Sequence, residues 1–273
     1  MCANPVLTFS TADKTLAARL EAAEAANGMV MAESVRELLP ESAYKPFAGG
    51  IALFTGIGSP MTHALGIGMR GVVPASEMEK LEQFFWQRGS ACLIDLCPLA
   101  DASVLTFVQQ HEYRILEFNN VLARLISPDE NFQPNQQVSL VSPAELAKWA
   151  RMIAEAFSES FPVTQEMADL IAATCRGARC WVVDDWGHPA GGAAMAIQEE
   201  VALFFGDAVT LRSRCKGLHA QLISTRLGEA QRLGARLAMV SVLPGSASHR
   251  NFERLGFQLI YMRVNLAREL GPV

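Results

Sequence analysis

Residues 199–233, EEVALFFGDAVTLRSRCKGLHAQLISTRLGEAQRL, decide the fold of this 273-residue chain. The stretch begins as an apolar strand and passes through a short basic loop, residues 212–217. It continues as an amphipathic helix whose apolar residues recur at helical spacing: Leu218, Leu222, Ile223 and Leu227. The first backbone N–H groups of a helix lack intrahelical partners and lie at the positive end of the helix dipole. The order of strand, glycine-containing loop and helix therefore predicts a phosphate-binding loop.

The loop residues fit that prediction individually. Arg214 and Lys216 add positive charge, and Gly217 lets the backbone approach a ligand without a Cβ in the way. Cys215 lies between them, next to cationic residues and the start of the helix. We interpret Cys215 as a loop residue beside the ligand, with a nucleophilic role as the alternative.

Three segments carry a resemblance to a known family. Residues 214–219, RCKGLH, resemble the pyrophosphate loop of the GNAT acetyltransferases, in which Arg or Gln is followed by two residues, Gly, one residue, and Gly or Ala. Residues 208–211 resemble the strand end before that loop, and residues 251–257, NFERLGF, resemble the last helix and its Gly-Phe turn. The resemblance covers roughly Val138 to Leu270. It departs from the family pattern at His219, where a small residue is usual, at Leu211, which replaces a common Pro, and at Phe252, where many members carry Tyr.

The resemblance implies a binding site for acetyl-CoA as co-substrate. The strand before the loop would splay from its neighbour, and the pantetheine arm would pair with the exposed strand backbone. Ser246, Ser248 and Asn251 would reach the cofactor from the next helix, although Ser246 has helix capping as an equal alternative. The residues that we predict to bind the cofactor are Val209, Leu211, Arg214, Cys215, Lys216, Gly217, Leu218, His219, Ala220, Ser246 and Asn251.

Acetyl transfer to an amine needs a base for the ammonium and benefits from a donor for the departing thiolate. Because Phe252 occupies the position of the usual Tyr donor, Tyr261 is the nearest candidate acid. Glu200, or its neighbour Glu199, is the candidate base at the start of the central strand. The alternatives are a strand residue at the edge of the core for Tyr261 and a solvated strand end for the glutamates.

Composition narrows the class of partner. The net charge is −5 and the basic residues are scattered, which argues against nucleic acid as the main partner. No apolar run approaches the roughly 18 residues of a membrane span, so we expect no membrane partner. The six cysteines form no CxxC pair and do not cluster with histidines, so we predict no metal site and reduced thiols in a cytoplasm.

The two halves of the chain resemble each other. Residues 87–98 parallel residues 231–244 with two gap positions, and Leu122-Ala-Arg124 parallels Leu266-Ala-Arg268. We interpret this as two copies of one fold, of which the first lacks the basic loop and is degenerate. The alternative is that any βα unit ending in Pro looks similar. Residues 66–71, GIGMRG, fit the GxGxxG spacing, but Val72-Val73-Pro74 follows instead of a helix, so we predict a bent strand or bulge.

The predicted elements follow the same division. The N-terminal half is expected to contain helices at residues 11–26, 32–39, 76–88 and 102–110 and strands at 51–55, 62–69, 91–96 and 113–126. The C-terminal half is expected to contain helices at 143–158, 164–175, 218–233 and 247–255 and strands at 178–183, 190–197, 201–209, 237–242 and 257–266. Capping boxes are predicted at Ser76 with Glu79 and at Ser142 with Glu145.

These observations predict an α/β (α+β) protein with a tandem acyl-CoA N-acyltransferase (GNAT) fold. Each half would hold a mixed, mostly antiparallel sheet flanked by helices. We expect a degenerate domain at residues 1–127, a polar linker at 128–137 and an acetyl-CoA-binding domain at 138–273. The expected function is N-acetyl transfer from acetyl-CoA to a small-molecule or peptide amine. The alternative is a non-catalytic acyl-CoA-binding or sensing protein. The sequence indicates no oligomeric state.

Overall fold

A computed structural model describes residues 13–133, 135–158 and 162–269 of the chain. By their internal contacts these residues form two compact units. Unit A is Leu122–Leu259, and unit B combines residues 13–121 with residues 260–269. The start of the first predicted helix, at residues 11 and 12, lies outside the described residues.

Unit B contains most of the elements of the N-terminal half. In chain order they are α1 Lys14–Val35, β1 Ala43–Phe47, β2 Gly50–Phe54, β3 His63–Leu65, α2 Ala75–Trp86, β4 Cys92–Leu96, α3 Ala102–Gln110 and β5 Arg114–Leu125, of which residues 122–125 belong to unit A. Its core is built by apolar residues of β2, β4, α2 and α3, with Phe84, Phe85 and Phe107 among the largest.

Unit A contains the elements that follow. They are β6 Val138–Leu140, α4 Leu146–Phe157, α5 Gln165–Cys175, β7 Arg179–Asp184, β8 Pro189–Gln198, β9 Val201–Val209, α6 Leu218–Arg232, β10 Leu237–Val242 and α7 Ala247–Arg254. The last strand, β11 Gln258–Arg268, starts in unit A and continues in unit B from Ile260. The apolar face of α6, with Leu218, Leu222, Ile223 and Leu227, is buried in the core as its spacing predicted.

Both units have the same type of sheet. In unit B, β1, β2 and β3 pair antiparallel, and β3 pairs parallel with β4. In unit A, β6 to β9 pair antiparallel in sequence, and β9 pairs parallel with β10. The predicted fold class, a mixed and mostly antiparallel sheet with flanking helices, is confirmed.

The last strand of the chain completes the sheet of unit B. β11 pairs antiparallel with β4, with register from Val264 opposite Leu96 to Arg268 opposite Cys92. The end of β5 belongs to unit A, where the backbone N–H of Ile126 donates to the carbonyl of Arg236 at 3.0 Å. The sequence places the boundary between the domains at the linker, residues 128–137. In the structure, the part of β11 after Leu259 instead belongs to unit B, together with the N-terminal residues. Strand partners depend on contacts between distant residues, which a local pattern does not contain.

Local rules explain most of the remaining differences. The two helices predicted at 11–26 and 32–39 form one helix, α1, because Gly28 does not end it. A Cβ on Gly28 would lie 2.3 Å from Cδ1 of Leu53, so this glycine allows α1 to pack closely on β2. The predicted Ser76 cap was wrong, since α2 begins after Pro74 without a side-chain cap. The capping box of Ser142 and Glu145 is present.

The glycine-rich segment 66–71 is a turn packed inside unit B. Gly66 and Gly68 adopt φ of 69° and 77°, and α2 starts only after Pro74. A Cβ on Gly68 would lie 2.6 Å from Cγ2 of Val104, so the turn lies against α3. The dinucleotide fingerprint is therefore absent, and the glycines form a turn after β3 where a bent strand or bulge was predicted.

A buried ionic cluster joins α1 to β11 within unit B. Oε1 of Glu21 accepts from Nε of Arg263 at 2.8 Å and from the hydroxyl of Tyr261 at 2.7 Å, and its other oxygen accepts from the N–H of Gly66 at 3.0 Å. Arg263 also lies 2.7 Å from Glu24. Removing one partner of such a cluster costs about 3–5 kcal/mol, because a charge is left buried without compensation.

A second pair in unit B is sensitive to pH. Nδ1 of His63 lies 3.0 Å from the Asp95 carboxylate. Burial lowers the pKa of His63, but the charge of Asp95 outweighs burial and the net pKa is raised. A raised histidine pKa adds stability that is present in full below the unfolded pKa of about 6.5 and is lost as the pH rises through the folded pKa.

We therefore expect His63→Asn to remove part of the fall in stability between pH 5.5 and pH 8.5. The measurement is the melting temperature at both pH values for wild type and variant. His188→Asn is the matched control, because His188 is exposed in the turn between β7 and β8. An identical pH dependence in wild type and His63→Asn would contradict the role of this pair.

Candidate functional site

Unit A contains a cleft of about 600 Å³. Its walls are the end of α4, the second half of β9, the loop after β9 with the first turn of α6, and α7. The loop that the sequence singled out is therefore part of a cavity large enough for a small ligand.

The second half of β9 leaves its parallel neighbour. The register of β9 with β10 runs from Val201 opposite Leu237 to Phe204 opposite Val240. Beyond Phe204, β9 continues with β8 alone in register, and a shift between Gly192 and Ala194 marks a bulge. The N–H of Thr210 donates to Ala190 of the β8 side at 2.8 Å. Because backbone groups alternate along a strand, those of Val209 face the side that β10 has left.

A buried arginine holds the bulge. Arg226 of α6 is 0% exposed, and its Nη1 donates to the carbonyl of Ala194 at 2.9 Å and to Oδ2 of Asp207 at 3.0 Å. Its Nη2 also donates to Oδ1 of Asp207. Burial raises the pKa of Asp207, but the Arg226 charge and the other partners outweigh burial, and the net pKa is lowered. The guanidinium lies 4.4 Å from the centre of the Phe204 ring.

The loop presents backbone donors to the cleft. Cys215 and Gly217 adopt φ of 64° and 78°, both left-handed. The first helical hydrogen bond of α6 runs from the N–H of Gln221 to the carbonyl of Gly217 at 3.2 Å, so the N–H groups of residues 218–220 precede the helical ladder. A Cβ on Gly217 would meet nothing within 4 Å. Glycine is therefore required at 217 for its conformation and not for packing.

Side-chain contacts fix the cations of the loop. Nε of Arg214 donates to the carbonyl of Val209 at 3.1 Å. Asp185, in the turn between β7 and β8, accepts from Nζ of Lys216 at 2.7 Å and from the hydroxyl of Ser213 at 2.7 Å. These hydrogen bonds, that of Lys216 first, lower the pKa of Asp185. Contacts with Val209 and Asp185 thus fix the position of the loop.

His219 joins three walls of the cleft. Its Nε2 lies 3.0 Å from Oδ1 of Asp207, and its Nδ1 lies 3.0 Å from Nδ2 of Asn251 on α7. Oδ1 of Asn251 accepts from Arg254 at 3.1 Å, so the amide must turn its NH₂ group toward His219. Nδ1 is then an acceptor, and the ring proton lies on Nε2 toward Asp207. The imidazole that replaces a small residue in the family pattern is 14% exposed and engaged at both nitrogens.

The structure brings most of the predicted cofactor residues together. Those that line the cleft are Val209, Arg214, Cys215, Gly217, Leu218, His219, Ala220 and Asn251. Leu211 is 71% exposed in a 3-10 turn, and the Lys216 side chain is bound to Asp185. Ser246 caps α7 by accepting from the N–H of His249 at 3.0 Å, which is the alternative that the sequence left open.

The structure gives the two candidate proton-transfer residues other surroundings. Tyr261 is 5% exposed, belongs to unit B, and donates to Glu21. Glu200 lies in the turn before β9, with φ of 67°, and its carbonyl accepts the N–H of Arg236 at 3.0 Å. The cleft begins at Asp207 in the second half of β9, seven residues or roughly 23 Å along an extended strand. Neither Tyr261 nor Glu200 is among the residues that line the cleft.

Sequence reasoning missed Asp207 and Arg226. They are 19 residues apart in the chain, and a charged residue on the apolar side of a predicted helix was the only signal available. Phe252 is 0% exposed and packs edge-on against Phe257 at 4.9 Å and Phe204 at 6.3 Å. Its position therefore supplies packing and no hydroxyl.

The described residues contain neither a cluster of metal-ligating side chains nor a helix that could cross a membrane. In the part of the chain that the structure describes, no group of His, Cys, Asp and Glu is arranged to hold a metal ion. Across the same residues, every helix is too short or too polar to cross a membrane.

Solved structures with a similar fold include proteins described as acetyltransferases. A GCN5-related N-acetyltransferase from Kribbella flavida matches with a TM-score of 0.68 at 18% identity, covering 94% of this chain and 96% of that chain. A tandem GNAT protein from the clavulanic acid biosynthesis pathway matches with 0.56 at 15% identity, covering 89% and 88%. A putative GNAT-family acetyltransferase from Novosphingobium aromaticivorans matches with 0.54 at 14% identity, covering 89% and 99%. No family model and no curated protein matches the sequence. At these identities the likeness shows that the chain has the fold of the GCN5-related N-acetyltransferases.

The surroundings of Tyr261 generate a prediction about its hydroxyl. Tyr261→Phe should lower the free energy of unfolding by about 1–3 kcal/mol, because the buried Glu21 loses a hydrogen bond. Tyr44→Phe is the matched control, since Tyr44 makes the same type of bond to Glu33 at the surface, at 3.2 Å. The measurements are chemical denaturation and the rate of thiol release from acetyl-CoA. Unchanged stability with a rate loss of about 100-fold or more would instead support Tyr261 as the acid.

Proposed function

We propose that this protein is an N-acetyltransferase that uses acetyl-CoA and acts on an amine, either a small molecule or a peptide. The observation that carries the proposal is that three consecutive segments of the chain line the same cleft. The part of β9 that has left β10 leads directly into the left-handed loop and the start of α6, and all three line one cleft. An extended arm and a phosphate group can therefore be bound side by side.

The backbone of β9 suits an extended amide-containing arm. Val209 turns its backbone groups away from β8, and β10 no longer pairs at this level. An arm with its own amide groups would add to β9 as an extra strand, with main-chain hydrogen bonds as the source of affinity. The carbonyl of Val209 already accepts from Arg214, which fixes the end of that strand.

The loop suits a pyrophosphate. The N–H groups of residues 218–220 precede the helical ladder, and the helix dipole adds positive potential at the same place. Gly217 directs no side chain into the space in front of them. Arg214 lines the same part of the cleft. The residues present therefore fit a bound CoA, which would supply the acetyl thioester.

The residues of the cleft act on the reaction by binding and orientation. Holding an amine against a bound thioester gives the rate advantage of an intramolecular reaction, and this contribution is separate from the deprotonation of the ammonium. With Phe252 in place of a hydroxyl donor, we assign no proton transfer to α7. The roles of Glu200 as base and Tyr261 as acid remain predictions from the sequence.

We propose that only unit A binds CoA and that unit B is a second copy of the fold without this function. In unit B the segment between β3 and α2 uses its backbone groups internally. The carbonyl of Gly68 accepts from the N–H of Asp101 at 2.9 Å, and the N–H of Val73 donates to the hydroxyl of Ser103 at 2.9 Å.

The five cysteines of the described residues are all unpaired, in keeping with the proposed cytoplasmic location.

Replacing Gly217 with Asp tests the loop. The new side chain would adopt a strained φ and place a carboxylate where the pyrophosphate binds, so CoA affinity should fall by at least about 100-fold. Gly234→Asp is the matched control, because Gly234 has φ of 84°, nothing within 4 Å of a Cβ, and a position at the far end of α6. The measurement is titration calorimetry, with one CoA per chain expected for wild type. Equal affinities for wild type and Gly217→Asp would remove the proposed site.

A second candidate function is an acyl-CoA-binding or sensing protein without turnover. The observation in its favour is Phe252, which is fully buried among aromatic rings and puts no hydroxyl at the usual donor position. A sensor needs the strand backbone and the loop but no proton donor.

Thiol release from acetyl-CoA separates the two candidates. The acceptors are a panel of amines, amino acids and peptides, and we expect turnover with at least one class. The control is Gly217→Asp at the same concentration, which should show only the spontaneous rate. Tight CoA binding by wild type with no release above that rate for any acceptor would favour the sensor.

A further inference from the structure

We propose that Arg250 and Arg254 bind the 3′-phosphate of CoA, so that the protein selects free CoA thioesters over pantetheine donors that lack this phosphate. Dephospho-CoA and carrier-protein-bound phosphopantetheine belong to the second class. The inference rests on the proposed function and adds the chemical feature by which the donor is recognised.

The two arginines form a pair on one wall of the cleft. They lie four residues apart on α7, one helical turn, and both line the cleft. Nη1 of Arg250 donates to the carbonyl of Gly245 at 2.5 Å, and Nη1 of Arg254 donates to Oδ1 of Asn251 at 3.1 Å. Among the ion pairs of the described residues, neither arginine has a carboxylate partner. Their charges are therefore oriented but not neutralised.

This arrangement is unfavourable without an anion. Like charges four apart on a helix repel each other by a few tenths of a kcal/mol. Asp207, the carboxylate of the cleft, is already ion-paired with the buried Arg226. A phosphate would accept from both guanidinium groups, whose planar donors match its oxygens.

The pyrophosphate is not the group that needs them. The N–H groups at the start of α6 and Arg214 already provide its site on the loop wall. Arg250 and Arg254 lie on a different element, α7. The remaining phosphate of CoA is the 3′-phosphate of its ribose, and this is the anion that the second wall would receive.

A chain of hydrogen bonds holds Arg254 in position. Arg226 binds Asp207, Asp207 binds His219, His219 binds Asn251, and Asn251 binds Arg254. This series of hydrogen bonds begins at the fully buried side chain of Arg226 and ends at Arg254, which lines the cleft. Such orientation before binding reduces the entropy lost when the ligand binds. The unusual His219 thus has a positioning role in this proposal.

Calorimetry with CoA and dephospho-CoA tests the inference on the full chain. Wild type should bind CoA about 10-fold tighter or more, and the ratio of the two affinities should fall toward one in the Arg250→Gln/Arg254→Gln double variant. The affinity of the double variant for dephospho-CoA should stay unchanged. Arg232→Gln is the control, because Arg232 pairs with Glu229 in the last turn of α6 and does not line the cleft. Melting temperatures confirm that each variant is folded.

The outcomes separate this inference from the function on which it rests. Equal wild-type affinity for both ligands would overturn the inference and leave the proposed function in place. A double variant that loses affinity equally for both ligands would also overturn it, since the arginines would then act only through a general field. Wild type that binds neither ligand would overturn the proposed function and the inference together.

Discussion

The buried guanidinium of Arg226 is the interaction on which the cleft depends. It binds the carbonyl of Ala194 and the carboxylate of Asp207, and so holds β8 and β9 at the bulge. Removing one partner of a buried pair is costly because the other charge stays buried without compensation. The folded positions of Arg226 and Asp207 therefore depend on each other. Asp207 in turn contacts His219, and His219 contacts Asn251 of α7, so the buried pair is linked by hydrogen bonds to the far wall of the cleft.

Unit B uses buried charge for a different purpose. Arg263 of β11 binds Glu21 and Glu24 of α1, and Tyr261 adds a hydrogen bond to the same carboxylate. These contacts fasten the last strand of the chain to the first described helix. The segment after β3 closes on α3 instead of opening a cleft, because its glycine backbone packs directly against Val104. Unit A thus has a cleft beside β9, whereas in unit B the segment after β3 packs against α3.

The cleft is better equipped to hold a cofactor than to move protons. Its cations are fixed by carbonyl and amide oxygens, and its carboxylate is committed to Arg226 and His219. The ring of Phe252 seals the position at which a hydroxyl would be expected. Binding and orientation are therefore the contributions that the described residues can make to the proposed acetyl transfer.

The sequence by itself determined most of the elements and the loop, although β1 and β6 were not predicted and α1 was predicted as two helices. Helical spacing in α6, the capping box at Ser142 and the glycine at 217 are local signals, readable within a few residues because they reflect backbone conformation and one buried face. Only the tertiary structure decided the strand partners and the ionic contacts. Tyr261 and Glu21 are 240 residues apart in the chain, and Arg226 and Asp207 are 19 apart on different elements. Their pairing comes from the closing of the sheets, where burial forces each charge to find a partner, and no local pattern encodes which partner that is.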